Sequence, residues 1–302
     1  MPNGNQMRLR AAFWVLWVLP LLTEWRSVAA TYTLAWTDDQ YTHILLIIPI
    51  TAALIYLDWY RLRSQVAPNV AIGSVLLVLA VLIAFVPRWS GSLSQDVRVS
   101  IDMFALVLWW IGAFVLCYGT RISKSMLFPL CFLFWLVPFP TFLLNGIVSF
   151  LQRESASVSH SLFAAAGVPV LQNGVILTIP GVTIEVAKEC SSIRSSLMLL
   201  VTTMVLAHLV LRSFWRKAAV IALAVPLSVA KNGLRIFTIA MLGIRVDPGF
   251  LTGKLHHHGG VVFFLIALGA IFLCLWVLQR GEGGATPTLL PGQHGRKIAS
   301  TA

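Results

Sequence analysis

"VTIEVAKECSSIRSSLMLL" (182–200) changes character twice within its length, and how that change is read decides the fold. Alternating β-prone residues give way to a charged cluster around a lone cysteine and four serines, and an apolar run follows. Polar groups at the mouth of a membrane-spanning segment are costly, so they need a reason to be there. The apolar run itself is one of many. The 302 residues are 58% hydrophobic and 11% charged, whereas ordinary soluble domains carry about 25% charged residues. Long apolar runs between short charged loops read as transmembrane helices, each needing roughly 17–25 residues.

The fold class is therefore an all-α polytopic membrane protein. About eight crossings are expected, at 11–30, 43–58, 70–87, 103–119, 125–145, 193–211, 217–240 and 260–279. The first has a second reading. Arg8 and Arg10 precede "AAFWVLWVLPLL" and "SVAA" follows, which is also the layout of a signal peptide. Residues 1–280 read as a single transmembrane domain with its motifs concentrated in 165–265. The Gly/Pro/Ser/Thr-rich tail 281–302 reads as disordered and cytoplasmic.

Basic clusters set the expected orientation. With the amino terminus inside, the inner loops hold Arg8 and Arg10, Arg61 and Arg63, Arg121 and Lys124, then Arg212, Arg216 and Lys217. Arg280, Arg296 and Lys297 complete the inner set, which places both termini in the cytoplasm. The net charge of +11 does not point to nucleic acid, because these residues sit between apolar runs and form no basic face.

This topology puts the one sizeable extramembrane segment, 146–192, outside. Apolar residues at 147, 148, 151, 158, 162 and 163 suit an amphipathic helix on the membrane surface. Beyond it, Asn173-Gly174 and Pro180-Gly181 punctuate short β-prone runs, with Val182, Ile184 and Val186 alternating with polar residues. A small β-hairpin leading into Cys190 is expected.

Polar residues then gather at the outer ends of the last three crossings. Cys190 precedes the sixth, Arg235 lies near the end of the seventh with Asn232 three residues earlier, and His256 opens "HHHGG" before the eighth. Cys117, Cys131 and Cys274 lie in apolar context and read as small hydrophobes. Cys190 differs, with Lys188 and Arg194 nearby to favour a thiolate. Arg235 alone could snorkel to headgroups, and the histidines alone could be a solvated loop. Together a thiol, an imidazole and a guanidinium make a thiol acyl-transfer site: nucleophile, base, and donor to a developing oxyanion.

In that order, "KECSSIRSS", "AKNGLRIFTIA" and "LHHHGGVVFFLIAL" resemble the exosortase/archaeosortase family of membrane cysteine transpeptidases. "DDQYTHILLIIPI" is similar to the family's Asp…Tyr-Ser-His segment, and the resemblance spans roughly 38–280. It implies Cys190 as nucleophile, His256 as general base and acid, and Arg235 as the stabilising cation. Asn232 is added as an orienting neighbour on spacing alone. Ser192 stands where the family has glycine, and His257 or His258 remains a substitute base. A histidine in place of the archaeal arginine implies a bacterial inner-membrane enzyme with its site on the periplasmic face.

The resemblance further implies exported protein substrates that end in a Pro-Glu-Pro-type motif, one helix and a basic tail. They would be cleaved through a thioacyl intermediate and passed to an unidentified acceptor, in systems linked to exopolysaccharide. Membrane lipid is the only other expected partner, and no cofactor, metal or nucleic acid is called for. Two rivals stand beside this reading. One is a non-enzymatic transporter or assembly component of a polysaccharide system, whose charges should lie near the midplane. The other is a metal enzyme using Cys190 with His256–His258, for which no well-spaced ligand set exists.

Overall fold

The computed structural model describes residues 4–62, 66–186, 193–247, 249 and 260–282. They fall into two compact units, Met1–Arg153 and Glu154–Ala302.

The first unit opens with α1 (Gly4–Thr23) and α2 (Trp25–Thr37). The expected single crossing at 11–30 is thus two helices meeting at Glu24, whose backbone (φ −106°, ψ 24°) leaves the helical well. Helical bonding continues through the bend, from Glu24 N to Pro20 O (2.9 Å) and from Val28 N to Glu24 O (3.0 Å). Pro20 has no N–H to offer Leu16 O, so that carbonyl takes the Trp109 indole N–H instead at 2.7 Å. Glu24 itself pairs with Arg88 at 2.8 Å.

α3 (Ile44–Leu62), α4 (Val70–Trp89) and α5 (Gln95–Tyr118) follow. α4 and α5 meet through small residues, because a Cβ on Gly73 would lie 2.4 Å from Leu116 Cβ. Such contacts suit helices that cannot be driven together by water. α5 is the most enclosed of this unit's three long apolar spans and ends at Gly119, whose φ of 85° is open to glycine and strained for other residues.

α6 (Thr120–Ser125) and α7 (Leu127–Phe132) continue into a 3₁₀ turn, Leu133–Leu136. The chain then breaks at 137–140 and bends by 97° into α8 (Thr141–Ala165), which carries the chain across the unit boundary. A crossing at 125–145 and a separate amphipathic helix from 146 are both replaced by this arrangement. Pro138 and Pro140 exclude helical backbone around them, and no comparable breaker follows Thr141. The freed backbone groups are claimed by side chains. The Tyr41 hydroxyl donates to Phe139 O (3.0 Å), the Ser100 hydroxyl donates to Pro138 O (2.8 Å), and Asp96 accepts from Thr141 N (2.8 Å).

In the second unit, β1 (Leu171–Asn173), β2 (Ile176–Ile179) and β3 (Val182–Glu185) form an antiparallel meander in that order, so three strands stand where one hairpin is expected. Gly174 (φ 61°) and Gly181 (φ 86°) supply the two turns, the second with Pro180 before it as a type II turn prefers. Leu177 and Ile179 point inward and join Ala156 and Phe163 of α8 in one apolar cluster. α9 (Ile193–Val210), α10 (Phe214–Arg245) and α11 (Gly260–Arg280) complete the unit around Leu199, Ala224, Ala267 and Ile271.

Among the described residues six segments are long and apolar enough to cross a membrane: Asp39–Leu57, α4, α5, α9, α10 and α11. The bent pair around 137–140 makes a seventh if it is one span. Among the described residues the count is therefore six or seven, where eight crossings are expected.

Candidate active site

α10 carries the polar face of the second unit. Ser228, Lys231, Asn232 and Arg235 recur at i, i+3, i+4 and i+7, the spacing that stacks side chains on one side of a helix. Ser228, Lys231 and Asn232 are buried and Arg235 is half-buried.

Two neighbouring helices grip this face. On one side, the Asn232 side-chain amide donates to Ser155 Oγ at 3.0 Å. The Ser159 hydroxyl donates to Gly233 O at 3.0 Å and shares itself with Ser155 O at 2.8 Å. The approach is close because residue 233 is glycine. A Cβ there would sit 2.5 Å from Val158 Cγ1 and 3.2 Å from Ser155 O. On the other side, the Lys231 ammonium donates to Ser195 Oγ in the first turn of α9. The helical turn that presents Arg235 is thus anchored to α8 through Asn232 and to α9 through Lys231.

α10 is fixed at its start as well. The Glu282 carboxylate, just past α11, accepts from Arg212 N (2.9 Å) and Ser213 N (3.0 Å). These two N–H groups hold its pKa below the ordinary carboxylate value, with Arg216 and Arg212 adding in the same direction.

Of the sequence-expected residues, Arg235 and Asn232 lie on one face of α10, as their spacing requires. Cys190 and His256 lie outside the described residues. The described chain resumes at Ile193, three positions after Cys190, and at Gly260, four positions after His256. Cys117 is buried, Cys131 exposed and Cys274 half-buried, all in helices. Among the described residues no group of His, Cys, Asp or Glu could hold a metal ion.

Lys231 is the site residue that sequence reasoning passed over, although it stands inside the quoted "AKNGLRIFTIA". An ammonium in the middle of an apolar helix was its signal. Ser155, Ser159 and Ser195 gave none, since serine is common in membrane helices.

The amino-terminal "DDQYTHILLIIPI" has a structural part in the first unit. Asp38 accepts from Gln40 N (2.9 Å) and Tyr41 bonds the break at Phe139. His43 is buried edge-on against Trp135, ring centroids 5.9 Å apart.

Compared with known proteins, residues 35–273 match the family model described as transmembrane exosortase (Exosortase_EpsH). No curated protein and no solved structure gives a significant match.

Proposed function

The chain belongs to the transmembrane exosortase family, and we propose that it cleaves and transfers exported proteins at a carboxy-terminal sorting signal, with Cys190 as nucleophile. In this reading His256 takes the thiol proton and the thiolate attacks the scissile carbonyl. Arg235 stabilises the resulting oxyanion. The tetrahedral intermediate collapses to a thioester as the C–N bond breaks, and the imidazolium protonates the leaving amine. An acceptor nucleophile then gives its proton to His256 and displaces Cys190 as thiolate, and the imidazolium returns that proton to the thiolate, which closes the cycle.

The observation that supports this most is the anchoring of Arg235. A guanidinium that stabilises a transition state must be held before the charge develops. Asn232 and Lys231 fix its helical turn to α8 and to the helix that begins three residues after Cys190. Asn232 acts through this anchoring and not on the substrate. Periplasmic placement of the site, cytoplasmic termini, an inner-membrane location and a link to exopolysaccharide export belong to the same proposal. They rest on the basic clusters and on the family.

The test is a reporter ending in Pro-Glu-Pro, one apolar helix and a basic tail, co-expressed with the wild-type chain or with Cys190→Ala. Loss of the reporter's tail with wild type only is expected. Equal processing by Cys190→Ala would overturn the mechanism.

One observation favours a second reading, that of a non-enzymatic transporter or assembly component. The 97° break at 137–140, with its backbone held by Tyr41, Ser100 and Asp96, has the form of a discontinuous helix. A reporter left intact by both proteins would favour it.

A further inference from the structure

Lys231 presents a charge balance that the described residues leave incomplete. The residue is 6% exposed and, among the described residues, its side chain makes a single hydrogen bond, to Ser195 Oγ. An ammonium carries three donors, so two remain unspent in a buried setting. No described carboxylate neutralises it. In the second unit Glu154 and Glu185 are exposed, Asp247 binds Gly249 N at 2.7 Å, and Glu282 is engaged at the opposite end of α10. The nearest charged neighbour along α10 is Arg235, of the same sign.

Two buried hydroxyls on the same two helices are unspent as well. Ser228, one turn before Lys231, and Ser196, beside Ser195, are buried with no hydrogen-bond partner for Oγ. In other helical positions the hydroxyl donates to the carbonyl four residues back, as in Thr203 to Leu199 O (2.7 Å) and Ser159 to Ser155 O (2.8 Å). Ser196 and Ser228 forgo that bond. Among the described residues this part of α9 and α10 is therefore rich in donors, positive in sign and short of an anion. A buried cation without an anion is costly.

We propose that Lys231, bonded to Ser195 and sharing its helix face with Ser228, is the seat for a carboxylate side chain of the peptide substrate. A carboxylate offers up to four acceptor positions, enough for the two free ammonium hydrogens and the two hydroxyls. The near-complete burial of Lys231 selects among anions. A carboxylate on a short side-chain arm needs little room beside a residue this buried, whereas a lipid phosphate brings its glycerol backbone with it. The inference rests on the proposed peptide-processing function and assigns part of its sequence preference. Arg235 is left for the reacting carbonyl and Lys231 for recognition.

The experiment measures binding, so that it stands apart from turnover. Full-length Cys190→Ala protein in nanodiscs of zwitterionic lipid is titrated with fluorescent single-helix peptides whose motif reads Pro-Glu-Pro, Pro-Gln-Pro or Pro-Lys-Pro. A charge-assisted hydrogen bond is worth ~1.5–3 kcal/mol, so the Glu peptide should bind roughly 10- to 100-fold tighter than the Gln peptide. The Lys peptide should bind more weakly still. The Glu-to-Gln ratio should fall to near one in Lys231→Gln and persist in Lys231→Arg. Equal affinity for all three peptides on the parent protein would overturn the proposal without any Lys231 variant having to fold. A Lys231→Gln loss equal for Glu and Gln peptides would also overturn it and leave Lys231 a structural tether. So would a Glu preference that disappears once anionic lipid is included, which would assign the site to a headgroup. Glu-selective binding with no reporter processing would keep the carboxylate site and sink the cysteine mechanism instead.

Discussion

Asn232 on α10 and Ser155 on α8 meet amide to hydroxyl at 3.0 Å, and both are buried. The pair joins the turn that carries Arg235 to a helix that also supports the β meander. Asn232→Ala removes the donor and leaves a space at a tight contact. The expected loss is about 1–3 kcal/mol, the worth of a buried hydrogen bond whose partner is stranded. Thermal unfolding in detergent should show it as a lowered Tm. Reporter processing should fall further than the loss of folded protein explains, because Arg235 loses its anchor. Asn232→Ala with wild-type Tm and turnover would remove Asn232 from the site.

Gly233 sets how closely α8 and α10 approach. A Cβ at this position would lie 2.5 Å from Val158 Cγ1 and 2.7 Å from Val158 Cβ. Gly233→Ala must push the helices apart and stretch the Ser159-to-Gly233 bond, now 3.0 Å. Overpacking of this kind costs about 1–3 kcal/mol. Val158→Ala removes Cγ1 but keeps Cβ, so the double variant should recover only part of the stability lost in Gly233→Ala. A double-mutant cycle on Tm checks this, and simple additivity would show that the contact does not govern the spacing.

The apolar crossings at 70–87, 103–119, 193–211, 217–240 and 260–279 were legible because their length and hydropathy leave few alternatives. The corresponding helices are α4, α5, α9, α10 and α11. The bend at Glu24 was hidden inside a run that is apolar throughout its first half. The rest of the discrepancy lies at 137–140. "FLFWLVPFP" reads as continuous apolar sequence, while its two prolines make the backbone turn, and side chains distant in sequence make that turn tolerable. In the site, the shared face of Asn232 and Arg235 follows from three-residue spacing. Their anchoring does not, because Ser155 and Ser195 lie far away in sequence and carry no mark. Lys231 was visible as a charge in a span but was absorbed into a motif and left uninterpreted.

Glu282 gives a pH-dependent prediction. Its folded pKa lies below the ordinary value of 4.5, so the cap on α10 contributes fully above that value. The contribution is lost as pH falls from 4.5 through the folded pKa, when the carboxylate is protonated. A cap of this kind is worth about 1 kcal/mol. Glu282→Ala should lower Tm by a constant amount between about pH 6 and 8. The gap between variant and wild type should close as pH falls below about 4. A gap that widens on acidification would contradict the assigned sign.

The break at 137–140 depends on three side chains, which can be removed one at a time. Tyr41→Phe takes the hydroxyl from Phe139 O, and Ser100→Ala takes the hydroxyl from Pro138 O. Each strands a backbone carbonyl at a buried or half-buried position, at about 1–3 kcal/mol. Asp96 offers a control within one position. Asp96→Asn keeps a carbonyl oxygen to accept from Thr141 N, now bound at 2.8 Å, whereas Asp96→Ala keeps none. If the bond to the start of α8 is what matters, Asp96→Asn should stay near wild type in Tm and Asp96→Ala should fall by several degrees. If the negative charge matters, both should fall alike. Limited proteolysis or cysteine labelling at Thr141 would locate the loosening, with faster reaction expected in Asp96→Ala, Tyr41→Phe and Ser100→Ala than in Asp96→Asn. Uniform protection across the four variants would mean that Pro138 and Pro140 hold the bend without help.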